Sequence, residues 1–279
     1  MSRLAPDAGI IAPLKRTFWK TAARAGVERS HVAAARMCCE RHLLAAVAAQ
    51  RERPVGRILC YHSIGQREWG VNDVSPQRFR RHIETALHAG YQFVPAEEIA
   101  RTGGAPKDLA ITFDDGLYSV LSNAAPILRD YGIPWTLFAV SEWCEQRHDW
   151  GDRFVLDWTD IEALVTQGAV LGSHSATHPD FGRIELAQIV DELGASRDVI
   201  KKRMGAAPTT FAIPLGQSAN WTAACADAAR EAGYEIVYAQ AEETRPAHTV
   251  ARTFVTRFDD QRIFRALLRG AYDEWEEWI

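Results

Sequence analysis

With 279 residues, 47% of them hydrophobic and nine of them tryptophan, the chain has ample apolar material for one large domain. No apolar run approaches the roughly 20 residues of a membrane-spanning helix, and no apolar stretch precedes a small-residue cleavage site at the N-terminus. The net charge of −4 conceals a basic head: residues 1–53 hold ten Lys/Arg against four Asp/Glu, and the acidic remainder carries no motif for nucleic acid.

Residues 11–50 read as helical. Gly26 separates Leu14, Phe18 and Trp19, set among basic residues, from an alanine-rich segment over 30–50 that lacks proline and glycine. This basic extension, residues 1–53, suits peripheral contact with an anionic membrane surface and packing against the main domain equally well. The five cysteines are odd in number and include no C-x-x-C pair, so neither a disulfide framework nor a zinc knuckle is indicated. Reduced thiols and the absent export signal predict a cytoplasmic protein.

From Arg57 onward strand-like and helical runs alternate. Strands are predicted near 57–61, 91–94, 108–113, 135–140, 169–172, 209–213, 235–239 and 250–255, and helices near 76–89, 117–131, 159–167, 185–204, 221–233 and 260–269. Gly90, Gly132, Gly168, Gly205 and Gly233 follow helical runs as C-terminal caps do, and Ser75-Pro76 and Ser218–Trp221 read as helix starts. Such alternation predicts a parallel sheet wrapped by helices, with 54–279 as the main domain. The polar residues of interest all fall at strand C-termini, the catalytic face of a (β/α) barrel.

Two of these strand ends carry chemistry. The run Leu109–Phe113 ends in Asp114-Asp115-Gly116, and Ala169–Leu171 leads to His174-Ser175-Ala176-Thr177-His178. Two imidazoles and one carboxylate form a facial ligand set for a divalent metal, and the second carboxylate is left as a base for water. Either motif alone reads as a polar turn; together they predict a metal-dependent hydrolase. Because side chains alternate along a strand, the adjacent carboxylates are expected to point in different directions.

The segments Thr112–Gly116 and His174–His178, with Ile58–Ser63, Val74–Pro76, Phe79, Gly90-Tyr91 and Phe211–Gly216, resemble the polysaccharide deacetylase family, carbohydrate esterase family 4. The resemblance covers roughly residues 57–258 and is closest to the poly-N-acetylglucosamine deacetylase branch. It implies a distorted (β/α)7 barrel, here with an N-terminal helical extension, and metal-dependent removal of acetyl groups from sugars. Residue by residue it implies Asp115, His174 and His178 as metal ligands and Asp114 as catalytic base. Zinc is the first expectation for the metal, with Fe, Co, Ni and Mn as alternatives.

The family's usual C-terminal acid histidine has no counterpart here. In the branch named above a Tyr-His motif is implied to supply it, which points to His62. Where the commoner pattern has an arginine that orients the aspartate, this chain has Ala212; Arg252 is the substitute expected at Asp114, with Arg257 as its competitor. Leu215 stands where tyrosine is common, and its backbone N–H can still serve an oxyanion. Trp69 and Trp143 are the candidate sugar contacts, and Trp275 and Trp278 are read as anchors of a last helix. The expected activity is removal of an N-acetyl group from an amino sugar, as polysaccharide, oligosaccharide or lipid- or nucleotide-linked precursor. The alternatives are a catalytically inactive carbohydrate-binding protein on the same fold and a deformylase or amidase of a small amide.

Overall fold

The apolar runs form one sheet in which every strand pair is parallel. The computed structural model describes residues 29–48, 53–145, 154–240 and 245–275. The chain divides into two compact units, Met1–Leu43 and Leu44–Ile279. The described part of the first unit is the opening run of helix α1 (Arg29–Val47), whose alanine-rich sequence favours helix. The helical turns expected near 11–25, and with them most of the proposed membrane-contacting extension, lie outside the described residues, as do Trp150 and Trp278.

The second unit begins with β1 (Arg57–Tyr61) and the short pair β2 (Ser63–Ile64) and β3 (Asp73–Val74). Then follow α2 (Pro76–His88), β4 (Gln92–Phe93), α3 (Ala96–Thr102), β5 (Asp108–Phe113), α4 (Ala125–Tyr131) and β6 (Trp135–Ala139). The remainder comprises α5 (Ser141–Glu145), α6 (Trp158–Thr166), β7 (Val170–Ser173), α7 (Leu186–Met204), β8 (Thr210–Ala212), α8 (Ala223–Ala232), β9 (Ile236–Tyr238), β10 (Thr253–Phe254) and α9 (Gln261–Leu268). The strand order is β10-β1-β5-β6-β7-β8-β9, with β4 beside β5. Val250 pairs with Tyr238 while Thr253 and Phe254 pair with Leu59 and Cys60, so residues 250–254 join the last strand to the first. The sheet therefore curls round as a (β/α)7 barrel.

Alternation along the strands sorts the core into layers. Ile58, Ala110, Phe138, Ala212 and Tyr238 pack together in one cluster. Their strand neighbours Leu59, Tyr61, Ile111, Phe113 and Leu137 belong to another, shared with helix residues such as Phe79, Leu128 and Phe264. A third cluster, built on Phe181, Phe211, Trp221 and Tyr234, packs α7 and α8 against the sheet. Trp158 and Trp221 are buried core residues. Trp275 stacks on Phe254 beyond the end of α9.

The predicted helices differ from the observed ones at their starts. The run expected from 117 opens as a wide helical turn over 120–124 before α4. The helix expected from 221 begins after Thr222, whose Oγ1 accepts from Cys225 N, and 218–220 form only a short turn. Ser75 does cap α2, accepting from Arg78 N ahead of Pro76. The short helices α3 and α5 were not anticipated, since five to seven residues carry too little periodicity to stand out. All five cysteines are free thiols. Among the described residues no helix is long and apolar enough to cross a membrane.

Gly172 on β7, two residues before His174, is the tightest point of the inner layer. A Cβ there would stand 2.5 Å from Phe138 Cδ1 and 2.6 Å from Thr210 Oγ1. Gly172→Ala is expected to destabilise the domain by about 1–3 kcal/mol, as overpacking does. The check is a urea midpoint lowered at unchanged slope.

Candidate metal and catalytic centre

Five strand ends converge on one cavity of about 430 Å³, which brings together His62, Asp114, Asp115, His174, His178 and Leu215. His62 follows β1, the aspartates follow β5, His174 follows β7, Leu215 follows β8, and Gln240 follows β9. The expected divergence of the adjacent carboxylates is corrected here: both line the cavity. Asp115 has φ +72°, and this left-handed turn departs from strand geometry and folds the second carboxylate back toward the first.

Asp115 Oδ2 accepts from Trp69 Nε1 at 3.0 Å. Its Oδ1 is buried without a hydrogen-bond partner and lies 3.4 Å from His174 Nε2 and 3.5 Å from His178 Nε2. His174 Nδ1 stands 2.9 Å from Ala212 O, an atom that can only accept. Nδ1 therefore carries a hydrogen, and in its neutral form His174 presents the Nε2 lone pair toward Asp115. Two imidazole edges facing one orphaned carboxylate oxygen form a donor set that fits a divalent cation.

The electrostatics point the same way. Burial opposes protonation of His174, but the fields of Asp114 and Asp115 outweigh it and raise its pKa above the ordinary value. Burial and the neighbouring His174 hold His178 down to about 4. Burial disfavours ionisation of Asp115, yet the facing imidazoles of His174, His62 and His178 hold it well below the usual carboxylate range. With Asp114 offset by Arg252, Asp115 is the carboxylate of the centre whose charge a bound cation would offset.

Asp114 is held from below. Arg252 Nη1 donates to Oδ1 at 2.6 Å and also to Thr112 Oγ1, Nη2 donates to Oδ2 at 2.8 Å, and Nε donates to Ala239 O. Burial raises the Asp114 pKa, but the Arg252 guanidinium overrides it and keeps the carboxyl below its ordinary value. Arg257, the competitor, is exposed and lines a different cavity. The Cys60 thiol donates to Asp114 Oδ2 at 3.4 Å. His62 is buried edge-on to Phe254, its Nδ1 has no hydrogen-bond partner, and burial lowers its pKa. Leu215 has φ +64° and is 38% exposed at the rim. Trp143 stacks on His178 at 5.4 Å and meets Trp69 edge-on, so both tryptophans border the centre.

Residues 102–237 match the family model described as polysaccharide deacetylase. That segment, just under half of the chain, is similar to a polysaccharide deacetylase domain. The chain is similar to the chitooligosaccharide deacetylase of Bradyrhizobium sp. (strain ANU 289), 26% identical over 152 residues, which cover 53% of this chain and 64% of the relative. It is also 25% identical over 122 residues to a chitin deacetylase of Pestalotiopsis sp, covering 43% of this chain and 38% of that enzyme. The chain therefore spans less than two thirds of the length of either. Among solved structures, the Streptococcus pyogenes deacetylase PplD in complex with acetate superposes with a TM-score of 0.65 at 20% identity, over 77% of this chain and 99% of that one. IcaB from Ammonifex degensii gives 0.64 at 22% identity, over 79% and 100%. These likenesses establish the (β/α)7 deacetylase fold.

Two acidic residues that shape the centre escaped the sequence reading. Glu192, on α7, accepts from Ala176 N and Thr177 N at 2.9 Å and from Thr177 Oγ1 at 2.6 Å, clamping the turn between the histidines. Asp73 Oδ1 accepts from Ser63 Oγ, Gly65 N and Gln66 N, anchoring the loop that carries Trp69. Nothing distinguishes Glu192 in sequence from a solvated helix charge. Asp73, directly before the recognised Val74-Ser75-Pro76, did offer a signal. Glu192→Ala is expected to lower divalent-metal affinity of the domain about 10–100-fold, as loss of a ligand-orienting partner does. Metal titration checks this, with turnover at saturating metal retained.

Proposed function

We propose that the chain is a metal-dependent hydrolase that removes the N-acetyl group from an amino sugar. The observation that carries this reading is the unpartnered Asp115 Oδ1 faced by His174 Nε2 and His178 Nε2, with a second, arginine-held aspartate beside it. A divalent ion held by Asp115, His174 and His178 would polarise the acyl carbonyl and acidify water. Zinc leads Fe, Co, Ni and Mn as the candidate for this donor set.

In this reading Asp114 takes the proton from water as it attacks the acetyl carbon. Each carboxylate oxygen has two acceptor sites, so the bidentate Arg252 leaves capacity toward the cavity. The backbone N–H of Leu215 donates to the developing oxyanion. His62, in its imidazolium form, delivers a proton to the amine nitrogen as the C–N bond breaks and returns to neutral imidazole, and acetate and a free amino sugar leave. Trp69 and Trp143 offer ring faces to the sugar. The names of the chitin and chitooligosaccharide deacetylases above support an N-acetylated sugar as the substrate class.

Acetate release from N-acetylglucosamine oligomers, measured beside metal content, tests the assignment. Asp114→Asn and His62→Ala should each keep wild-type metal content and lower turnover by about 10²–10⁴. Release unaffected by Asp114→Asn would overturn the reading, and a chain without metal or release would be a sugar-binding protein.

The pH profile tests Arg252. A base with a depressed pKa stays ionised to lower pH than an ordinary carboxylate, so activity should persist into mild acid. With Arg252→Gln, burial acts on Asp114 without its counter-charge, and the acid limb of kcat/KM should move to higher pH. An unmoved limb would remove Arg252 from this role.

A further inference from the structure

A second cavity, of about 460 Å³, adjoins the catalytic one and is lined by Arg67, Arg78 and Arg257 together with Gly70, Asp73 and Ser75. Among the described residues none of the three arginines forms an ion pair. Arg257 lies over the ring of its neighbour Phe258 at 5.8 Å. Asp73 is the only carboxylate of the lining, and its Oδ1 is occupied by Ser63 Oγ, Gly65 N and Gln66 N. Three guanidiniums against one carboxylate leave the concavity net positive, and an anion seated among them lowers the repulsion. Guanidinium forks match phosphate oxygens in bidentate fashion. The N-terminus of the 13-residue α2, capped by Ser75, brings the positive end of a helix dipole to the same place.

The two cavities share one wall. Arg67 lines the second cavity, Glu68 and Trp69 line the catalytic one, and Gly70 lines both. Gly70 has φ +66° and ψ −124°, a conformation reserved for glycine, and nothing lies within 4 Å of where a Cβ would stand. The crest between the cavities therefore carries no side chain. Arg257 N donates to Val71 O at 2.8 Å, which fastens the arginine's backbone to that wall.

We propose that the arginine cavity holds a phosphate or diphosphate ester on the substrate, so that the preferred substrate is a phosphate-linked amino sugar rather than a neutral oligomer. The placement of the sugar rests on the de-N-acetylase reading; the anion site itself does not. A sugar whose acetamido group sits at the metal centre extends its phosphate across Gly70 to Arg67, Arg78 and Arg257. A nucleotide diphosphate and a lipid diphosphate present the same chemistry.

The test compares the full chain with an Arg78→Gln/Arg257→Gln variant, two changes on partly or fully exposed side chains that should leave the thermal midpoint unmoved. Calorimetric titration with inorganic pyrophosphate should show binding weakened about tenfold or more in the variant. Kinetics on UDP-N-acetylglucosamine, on polyisoprenyl-diphosphate-linked N-acetylglucosamine in neutral vesicles and on the N-acetylglucosamine tetramer should show KM raised about tenfold on a diphosphate substrate. The tetramer should be unaffected, and the carrier with the larger loss identifies the source. Pyrophosphate binding indifferent to the substitutions, or an equal loss on the tetramer, would overturn the proposal. Pyrophosphate binding lost in the variant, with no turnover of any substrate by wild type, would leave the anion site standing and remove the de-N-acetylase reading.

Discussion

The arrangement depends on a guanidinium placed where a barrel normally keeps apolar side chains. Arg252 is fully buried, with its charge over the rings of Phe138 at 5.3 Å and Tyr238 at 5.9 Å. Such burial is tolerable only because its donors are used: Asp114 takes two, Thr112 and Ala239 take others. The pair is mutually obligatory. Removing either partner leaves an uncompensated buried charge, at a cost of about 3–5 kcal/mol. Its consequence for chemistry is that Asp114 has one position and one ionisation state. Arg252 also stands in the segment that joins the last strand to the first, so barrel closure and the orientation of the aspartate are one event.

Above that anchor the centre is built from strained loops. Asp115, Ser175, His178 and Leu215 all have left-handed backbone conformations, and all four lie in the strand-end loops of the centre. Each costs roughly 1–3 kcal/mol in a non-glycine residue and persists only where the surroundings over-determine it. The restraints are visible for the histidine turn: Glu192 gathers two amides and a hydroxyl, and Ser175 Oγ accepts from His178 N at 2.9 Å. For Asp115 the restraint is Trp69, whose indole N–H fixes one oxygen and leaves the other to the imidazoles. The strain follows from the need to bring ligands from two strands to a single point, which extended chain geometry alone does not do.

Strand positions were legible in sequence because the inner strands are apolar on both faces. Residues 57–61 and 135–139 are buried at every position, and continuous apolar runs of this kind between glycine-marked helix ends read clearly. The centre was legible only where it is local: Asp114-Asp115 and the two histidines occupy short motifs. The directions of the aspartates were misread, because strand alternation was applied to a residue that has already left the strand. Glu192 and Gln240 were invisible, since what makes them part of the centre is a contact from another element and not a neighbour in the chain. Arg252 was expected at Asp114 with Arg257, five residues further on, as its competitor, and sequence alone did not exclude the second. Burial separates them, one in the barrel and one on the surface.

The site thus has two grades of attachment. Asp114 and His174 are tied to barrel backbone and to a buried arginine, through Arg252 and through Ala212 O. Trp69 and His178 are carried on loops secured by single side chains, Asp73 for one and Glu192 for the other, and Trp143 sits on the short helix α5. Groups on rigid elements hold reacting geometry more closely than groups on loops, and loops tolerate change. In the proposed reading this division places the base Asp114 on the scaffold and the candidate sugar contacts Trp69 and Trp143 on its rim. One loop, residues 66–72, presents an indole to Asp115 and an arginine to the neighbouring cavity. A change in that loop alters what reaches the aspartate without altering the aspartate itself.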